Sequence, residues 1–147
     1  MFGVDDPATV QAVRAYVKLL RASHCVVARI EPLLAREGLT VTQLGVLELL
    51  LHQGPLAHRE IGRKLLTSAG NMTDVVRKLE ARGLVRRAKV IGDRRQLAVH
   101  LTPAGRSMIE ALFPRHAADI AAAMSGLGTA ELVQLGELLR RLGKAAA

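Results

Sequence analysis

Apolar residues recur at spacings of three and four from Val10 through Val13 and Val17 to Leu20, and the seam continues through His24 to Val27. That period predicts a helix from Pro7 to about Arg36, with a stripe narrow enough to pack against another helix. Pro32 is expected to kink it or interrupt its bonds, and Gly38 to end it. In "LTVTQLGVLELLLHQG", Thr40 with Gln43 three residues on has the form of a capping box. Leu44, Leu47, Leu50 and Leu51 give this second helix its apolar face, and Gly54-Pro55 stops it. "AHREIGRKLL" reads as a short helix through Ile61 and Leu65, weakly started because Ala57 offers no capping side chain. A fourth helix follows in "TSAGNMTDVVRKLEARGLV". Thr67 or Ser68 caps it, Gly83 closes it, and Met72, Val75, Val76 and Leu79 form its buried stripe.

The period then changes from 3.6 to 2. Leu97, Val99 and Leu101 alternate with Gln96, Ala98 and His100, the pattern of a half-buried strand. "LVRRAKVI" is its partner, so residues 84–102 read as a β-hairpin around Gly92-Asp93. Thr102-Pro103 opens another helix, with an N-cap followed by proline at the first helical position. It is expected to be interrupted near Pro114 and to end by Gly126 or Gly128. Thr129 is expected to cap a last helix whose Leu132, Leu135, Leu139 and Leu142 repeat at three, four, three. The order is four helices, a hairpin, two helices: a mainly α fold with a small β-hairpin wing.

Composition narrows this further. The chain has 147 residues, most simply one domain over residues 1–147. Half of it is apolar, yet its only aromatic residues are Phe2, Tyr16 and Phe113, so the core is Leu, Val, Ala and Met. The formal net charge of +8 favours an anionic partner. One cysteine, Cys25, excludes an intramolecular disulfide framework. With no apolar run approaching a membrane span and no basic-then-apolar start in "MFGVDDPATV", a cytoplasmic protein without a membrane partner is expected. His24, His52, His58, His100 and His116 have no metal-ligand spacing, and the chain has no phosphate loop or nucleophile elbow. No metal, no cofactor and no enzymatic activity are expected.

The candidate chemistry lies on the outward face of the fourth helix, which carries Gly70, Thr73, Asp74, Arg77 and Lys78. It is small and polar at its start and cationic one turn later. An α-helix fits the major groove of double-stranded DNA, where each base pair shows its own donor and acceptor pattern. Ser68, Gly70, Asn71 and Thr73 would let the helix N-terminus approach phosphates, and Arg77 and Lys78 would reach a base edge or phosphate. At the hairpin tip, Arg94 and Arg95 suit a narrow, electronegative minor groove. Together these elements form a winged helix-turn-helix over residues 39–102.

The run from Leu39 to Arg106, with "LEARGLV", the "DRR" wing and "LTPAGR" in order, resembles the MarR family of multiple-antibiotic-resistance-type regulators. The flanking helices fit too. The resemblance implies a homodimer on a roughly palindromic operator, with the terminal helices, residues 7–38 and 103–144, intertwined as the dimerisation region. It implies a helix corresponding to Ser68–Arg82 in the major groove, a minor-groove arginine at Arg94 or Arg95, with Arg95 favoured, and Asp93 supporting the wing by ion pairing. It also implies an effector, a small phenolic acid or another small molecule, or cysteine oxidation. The family's peroxide sensors carry their cysteine earlier in the first helix with tyrosines nearby, whereas Cys25 lies late and Tyr16 is the only tyrosine, which argues against that mechanism.

Plainer explanations stand beside these. Arg94 and Arg95 could belong to a solvated turn, and Arg77 and Lys78 to an ordinary exposed face. His24 reads first as a core or interface histidine and Cys25 as a buried, inert thiol, with an effector pocket at the two as the sharper reading. The seams at Val10, Val13 and Val17 and at Leu132, Leu135, Leu139 and Leu142 are better explained by a homodimer than by one small core. The favoured function is a sequence-specific, ligand-responsive repressor. The alternative is a non-sequence-specific nucleoid or protein-interaction module.

Overall fold

Asp6 opens the first helix: its carboxylate accepts the Thr9 amide at 2.8 Å and the Thr9 hydroxyl at 2.6 Å. The computed structural model describes residue 3 and residues 5–65, 69–90 and 92–146, with side chains throughout except at 69 and 93–96. The elements in order are α1 (Pro7–Arg36), α2 (Val41–Gln53), β1 (Leu56–Ala57), α3 (His58–Lys64), α4 (Ala69–Ala81), β2 (Val85–Val90), β3 (Asp93–Leu101), α5 (Pro103–Ala123) and α6 (Thr129–Ala146). The chain is mainly helical with a small antiparallel sheet in β1-β3-β2 order. It divides into two compact units, Ile30–Ala117 and Met1–Arg29 with Ala118–Ala147.

Several local expectations need correcting. The expected interruption near Pro114 does not occur, and both Pro32 and Pro114 lie inside continuous helices. Both prolines are exposed, so water can satisfy the carbonyl that loses its amide partner. Thr129 is the first residue of α6 rather than its cap. Gly128 takes the cap position, its amide donating to Glu131 Oε2 at 2.8 Å. Ala57, which cannot cap α3, has its own amide bound by Glu60 at 2.9 Å, so half of a capping box remains. The expected cap of α4 at Thr67 or Ser68 lies outside the described residues.

The sheet has a third strand that sequence periodicity did not reveal, because β1 is two residues long. Leu56 pairs with Val99 and Ala57 with Ala98. That pairing also overturns the expected alternation. Ala98, flanked by Ala57 and Ala88, is buried, while Leu97 is 49% exposed. A small residue on the middle strand is covered from both sides, whereas Leu97 lies beyond the reach of β1.

In the larger unit, Leu33, Leu34, Leu39, Leu44, Val46, Leu47, Leu50, Ile61, Met72, Val75, Val76, Leu79, Leu84, Val85, Val99, Ile109 and Leu112 make one buried cluster. It includes three of the four positions expected on α2 and the whole expected stripe of α4; Leu51 is only partly buried, and Val46 takes the fully buried place. In the smaller unit α6 has no buried residue.

The end of α4 is closed by a Schellman turn: Gly83, at φ +70°, donates to the Glu80 carbonyl, and Leu84 donates to Leu79. Thr102 locks this turn to α5. Its hydroxyl donates to the Gly83 carbonyl at 2.6 Å and accepts the Gly105 amide at 3.0 Å, while its amide donates to the Leu84 carbonyl at 3.1 Å. A Cβ at Gly105 would fall 2.0 Å from that Leu84 oxygen, so the approach requires glycine. Gly105→Ala is therefore expected to destabilise the protein by roughly 3 kcal/mol, at the upper end for overpacking against backbone. Urea unfolding measures this, and an unchanged midpoint would contradict the close approach.

Candidate nucleic-acid interface

Helix α4 buries Met72, Val75, Val76 and Leu79, which fixes the face it turns outward. On that face Gly70, Asn71 and Thr73 are exposed near its start, and an added Cβ at Gly70 would meet open space. One turn on, Arg77 and Lys78 are exposed. Both are paired with Asp74: Arg77 Nη2 donates to Oδ1 at 2.6 Å, and Lys78 Nζ lies 2.9 Å from Oδ2. Hydrogen bonds from Lys78 and then Arg77 hold the Asp74 carboxyl below the usual carboxylate range. It is ionised at neutral pH, and the triad carries a single net positive charge. Ser68 lies outside the described residues.

The wing follows directly from α4. Arg87 on β2 donates to Glu80 of α4 at 2.9 Å, bridging helix and strand. His58, at the start of α3, belongs to the same neighbourhood. Burial and then Arg87 hold its imidazole below its ordinary value, with Glu80 opposing. Its Nε2 is buried with no hydrogen-bond partner among the described residues. Arg86, Arg87 and Lys89 leave β2 exposed and cationic.

The β2–β3 register is regular from Val85↔Leu101 to Lys89↔Leu97, after which Val90 pairs with Asp93. Arg94, Arg95 and Gln96 therefore have no opposite residue on β2. Bulges of this kind re-aim a strand where it meets a partner. The side chains of Asp93, Arg94 and Arg95 lie outside those described.

A further tie sits at the far end of α4. Arg82 donates to the carbonyls of Gly38 at 2.7 Å and Glu37 at 3.1 Å, meeting the negative end of α1 with a cation. The Glu37 carboxylate in turn lies 3.6 Å from Arg115 of α5. On α3, Arg59, Arg63 and Lys64 are exposed, the latter two bordering a shallow groove with Glu60. Sequence reading did not single out Asp74, Glu80, Arg82 or the α3 cations as site residues. Asp74 had a usable signal, since residues three and four apart meet on a helix. The Glu80–Arg87 and Arg82–Gly38 contacts needed the fold.

The remaining singled-out residues lie in the smaller unit. Val10, Leu132 and Leu135 are half-buried, and Val13, Val17, Leu139 and Leu142 are exposed. His24 and Cys25 are both exposed within the single chain, so neither lies in its core, and the expected buried thiol is not seen there. Among the described residues no helix is long and apolar enough to cross a membrane, and no three His, Cys, Asp or Glu side chains gather as metal ligands.

Comparison with known proteins agrees with this architecture. The model of the MarR family matches residues 37–96. The HTH-type transcriptional regulator MhqR of Bacillus subtilis is 33% identical over 135 residues, which span 92% of this chain and 93% of that protein. Among solved structures, a probable transcriptional regulator from Pseudomonas aeruginosa is 34% identical with a TM-score of 0.77, covering 86% of this chain and 94% of its own. Bordetella bronchiseptica BpsR, whose structure concerns regulation of DNA binding by 6-hydroxynicotinic acid, is 31% identical with a TM-score of 0.78, covering 85% and 89%. These relatives are regulators, not enzymes. With a winged helix-turn-helix, an outward cationic helix face and a relative matched over nearly its full length, the chain belongs to the MarR family of transcriptional regulators.

Proposed function

We propose that the chain is a sequence-specific repressor that binds a palindromic operator as a homodimer and is released by a small-molecule effector. The observation that carries this reading is the outward face of α4, polar then cationic, joined through Glu80–Arg87 to a cationic strand of the wing. Helix α4 enters the major groove: Ser68, Gly70, Asn71 and Thr73 approach the backbone, and Arg77 and Lys78 reach base edges or phosphates. The wing, with Asp93 as support, sends Arg94 or Arg95 toward the minor groove, Arg95 being favoured. Arg59 and Arg63 on α3 add phosphate contacts.

The homodimer rests on apolar surface left in water. Val13, Val17 and Leu20 of α1 and Leu139 and Leu142 of α6 are each 40–53% exposed, on helices with regular apolar seams. A second copy covers such a stripe symmetrically. The effector is proposed to be a small hydroxylated aromatic acid, on the strength of the BpsR likeness, with His24 and Cys25 as the residues facing it.

Selection of bound genomic fragments is expected to return a palindrome with half-sites about one helical turn apart. Uniform recovery of fragments would instead indicate a packaging protein. On the selected duplex, Arg77→Ala and Arg95→Ala should each weaken binding by roughly 1–3 kcal/mol, the scale of one good groove contact. Unchanged affinity for both Arg94→Ala and Arg95→Ala would remove the wing from the site.

In sedimentation, the double variant Leu139→Glu, Leu142→Glu is expected to lose the dimer while keeping its helical content. A dimer that survives would place the seam elsewhere. Titration with small hydroxylated aromatic acids, 6-hydroxynicotinic acid first, should release the duplex in at least one case. Full retention across the panel would exclude that effector class.

A further inference from the structure

Asp74 places an anion on a face proposed to meet phosphates, which it repels. It lies on the exposed face of α4, three and four residues before the two cations proposed to meet the duplex, and it holds both. Its side chain is 42% exposed, so no burial demands neutralisation of the cations. Exposed ion pairs of this spacing contribute little to folding. Their consequence is for binding.

A phosphate approaching Arg77 or Lys78 must displace the carboxylate or share the cation with it, and the carboxylate repels the phosphate. Random-sequence binding draws almost entirely on such phosphate neutralisation, so it bears the full penalty. A base contact is affected differently. Guanidinium donors form a fixed fork, and a carboxylate on one edge orients the other toward guanine O6 and N7. One residue thus weakens the sequence-blind contact while arranging the sequence-reading one.

We propose that Asp74 is the internal counter-ion of this helix, a positioning residue that raises the ratio of operator to random-sequence affinity by occupying Lys78 and orienting Arg77. The inference rests on the reading that α4 enters the major groove.

The test uses the full-length protein and its Asp74→Asn, Asp74→Glu and Arg77→Ala variants. Each is titrated by fluorescence anisotropy, across a salt series, into a random-sequence duplex and into a duplex recovered by selection. Asp74→Asn is expected to bind the random duplex about three-fold or more tightly, with a salt slope steeper by roughly 0.9 for each additional phosphate neutralised. Its ratio of selected to random affinity should fall. Asp74→Glu, which keeps the charge, should restore the slope and most of the ratio. An Asp74→Asn protein with unchanged slope and ratio overturns the inference, as does one that binds both duplexes more weakly. If the unsubstituted protein fails to discriminate the two duplexes, or Arg77→Ala binds the selected one undiminished, the groove reading itself is contradicted. Matching melting curves for all four proteins exclude misfolding as the source of any difference.

Discussion

The carbonyl of Leu84 is the point on which α4 and the wing, the elements proposed to face DNA, hang. It accepts the Thr102 amide and leaves no room for a side chain at Gly105, while the Thr102 hydroxyl joins Gly83 to the first turn of α5. The end of α4, the start of β2, the end of β3 and the start of α5 therefore meet in one hydrogen-bonded joint. The wing springs from this joint, so its base is set relative to α4 by backbone geometry rather than by a loose linker. Glu80–Arg87 adds a second tie one turn back. The runs "LEARGLV" and "LTPAGR" take their physical sense from this. Leu79, Leu84 and Val85 are core, Arg82 caps α1, and Gly83, Thr102 and Gly105 make the joint. The residues that carry the family likeness are largely those that hold α4 and the wing in place.

The charge on this surface is subtler than its total. The chain carries a net +8, yet three described cations of this surface are shared with carboxylates: Arg77 and Lys78 with Asp74, Arg87 with Glu80. Each such pair has to be opened or shared before its cation neutralises a phosphate. On the proposed reading, their value lies in arranging side chains before the duplex arrives, and in making contact that offers only phosphates less favourable.

Where periodicity was strong, the sequence was legible. The α4 stripe from Met72 to Leu79, the capping box at Thr40 and Gln43, and the glycine stops at 38, 54 and 83 are all present in the fold. The failures have different causes. Strand β1 is too short for a period, Ala98 is buried only because strands distant in sequence flank it on both sides, Pro114 is tolerated where it faces water, and the cap of α6 shifts by one residue to Gly128. The site was legible as a list of cations and small residues, but not as a network. Asp74 looked like one more polar residue on that face, and nothing local tied Arg82 to Gly38, 44 residues away.

The central claim is that α4 reads the major groove and the wing the minor groove of one duplex. Dimethyl sulfate footprinting separates the two, since it methylates guanine N7 in the major groove and adenine N3 in the minor. On a selected duplex the account expects two symmetric patches of N7 protection about one helical turn apart, each flanked outward by N3 protection. Uniform reactivity, or protection confined to a single groove, would contradict it.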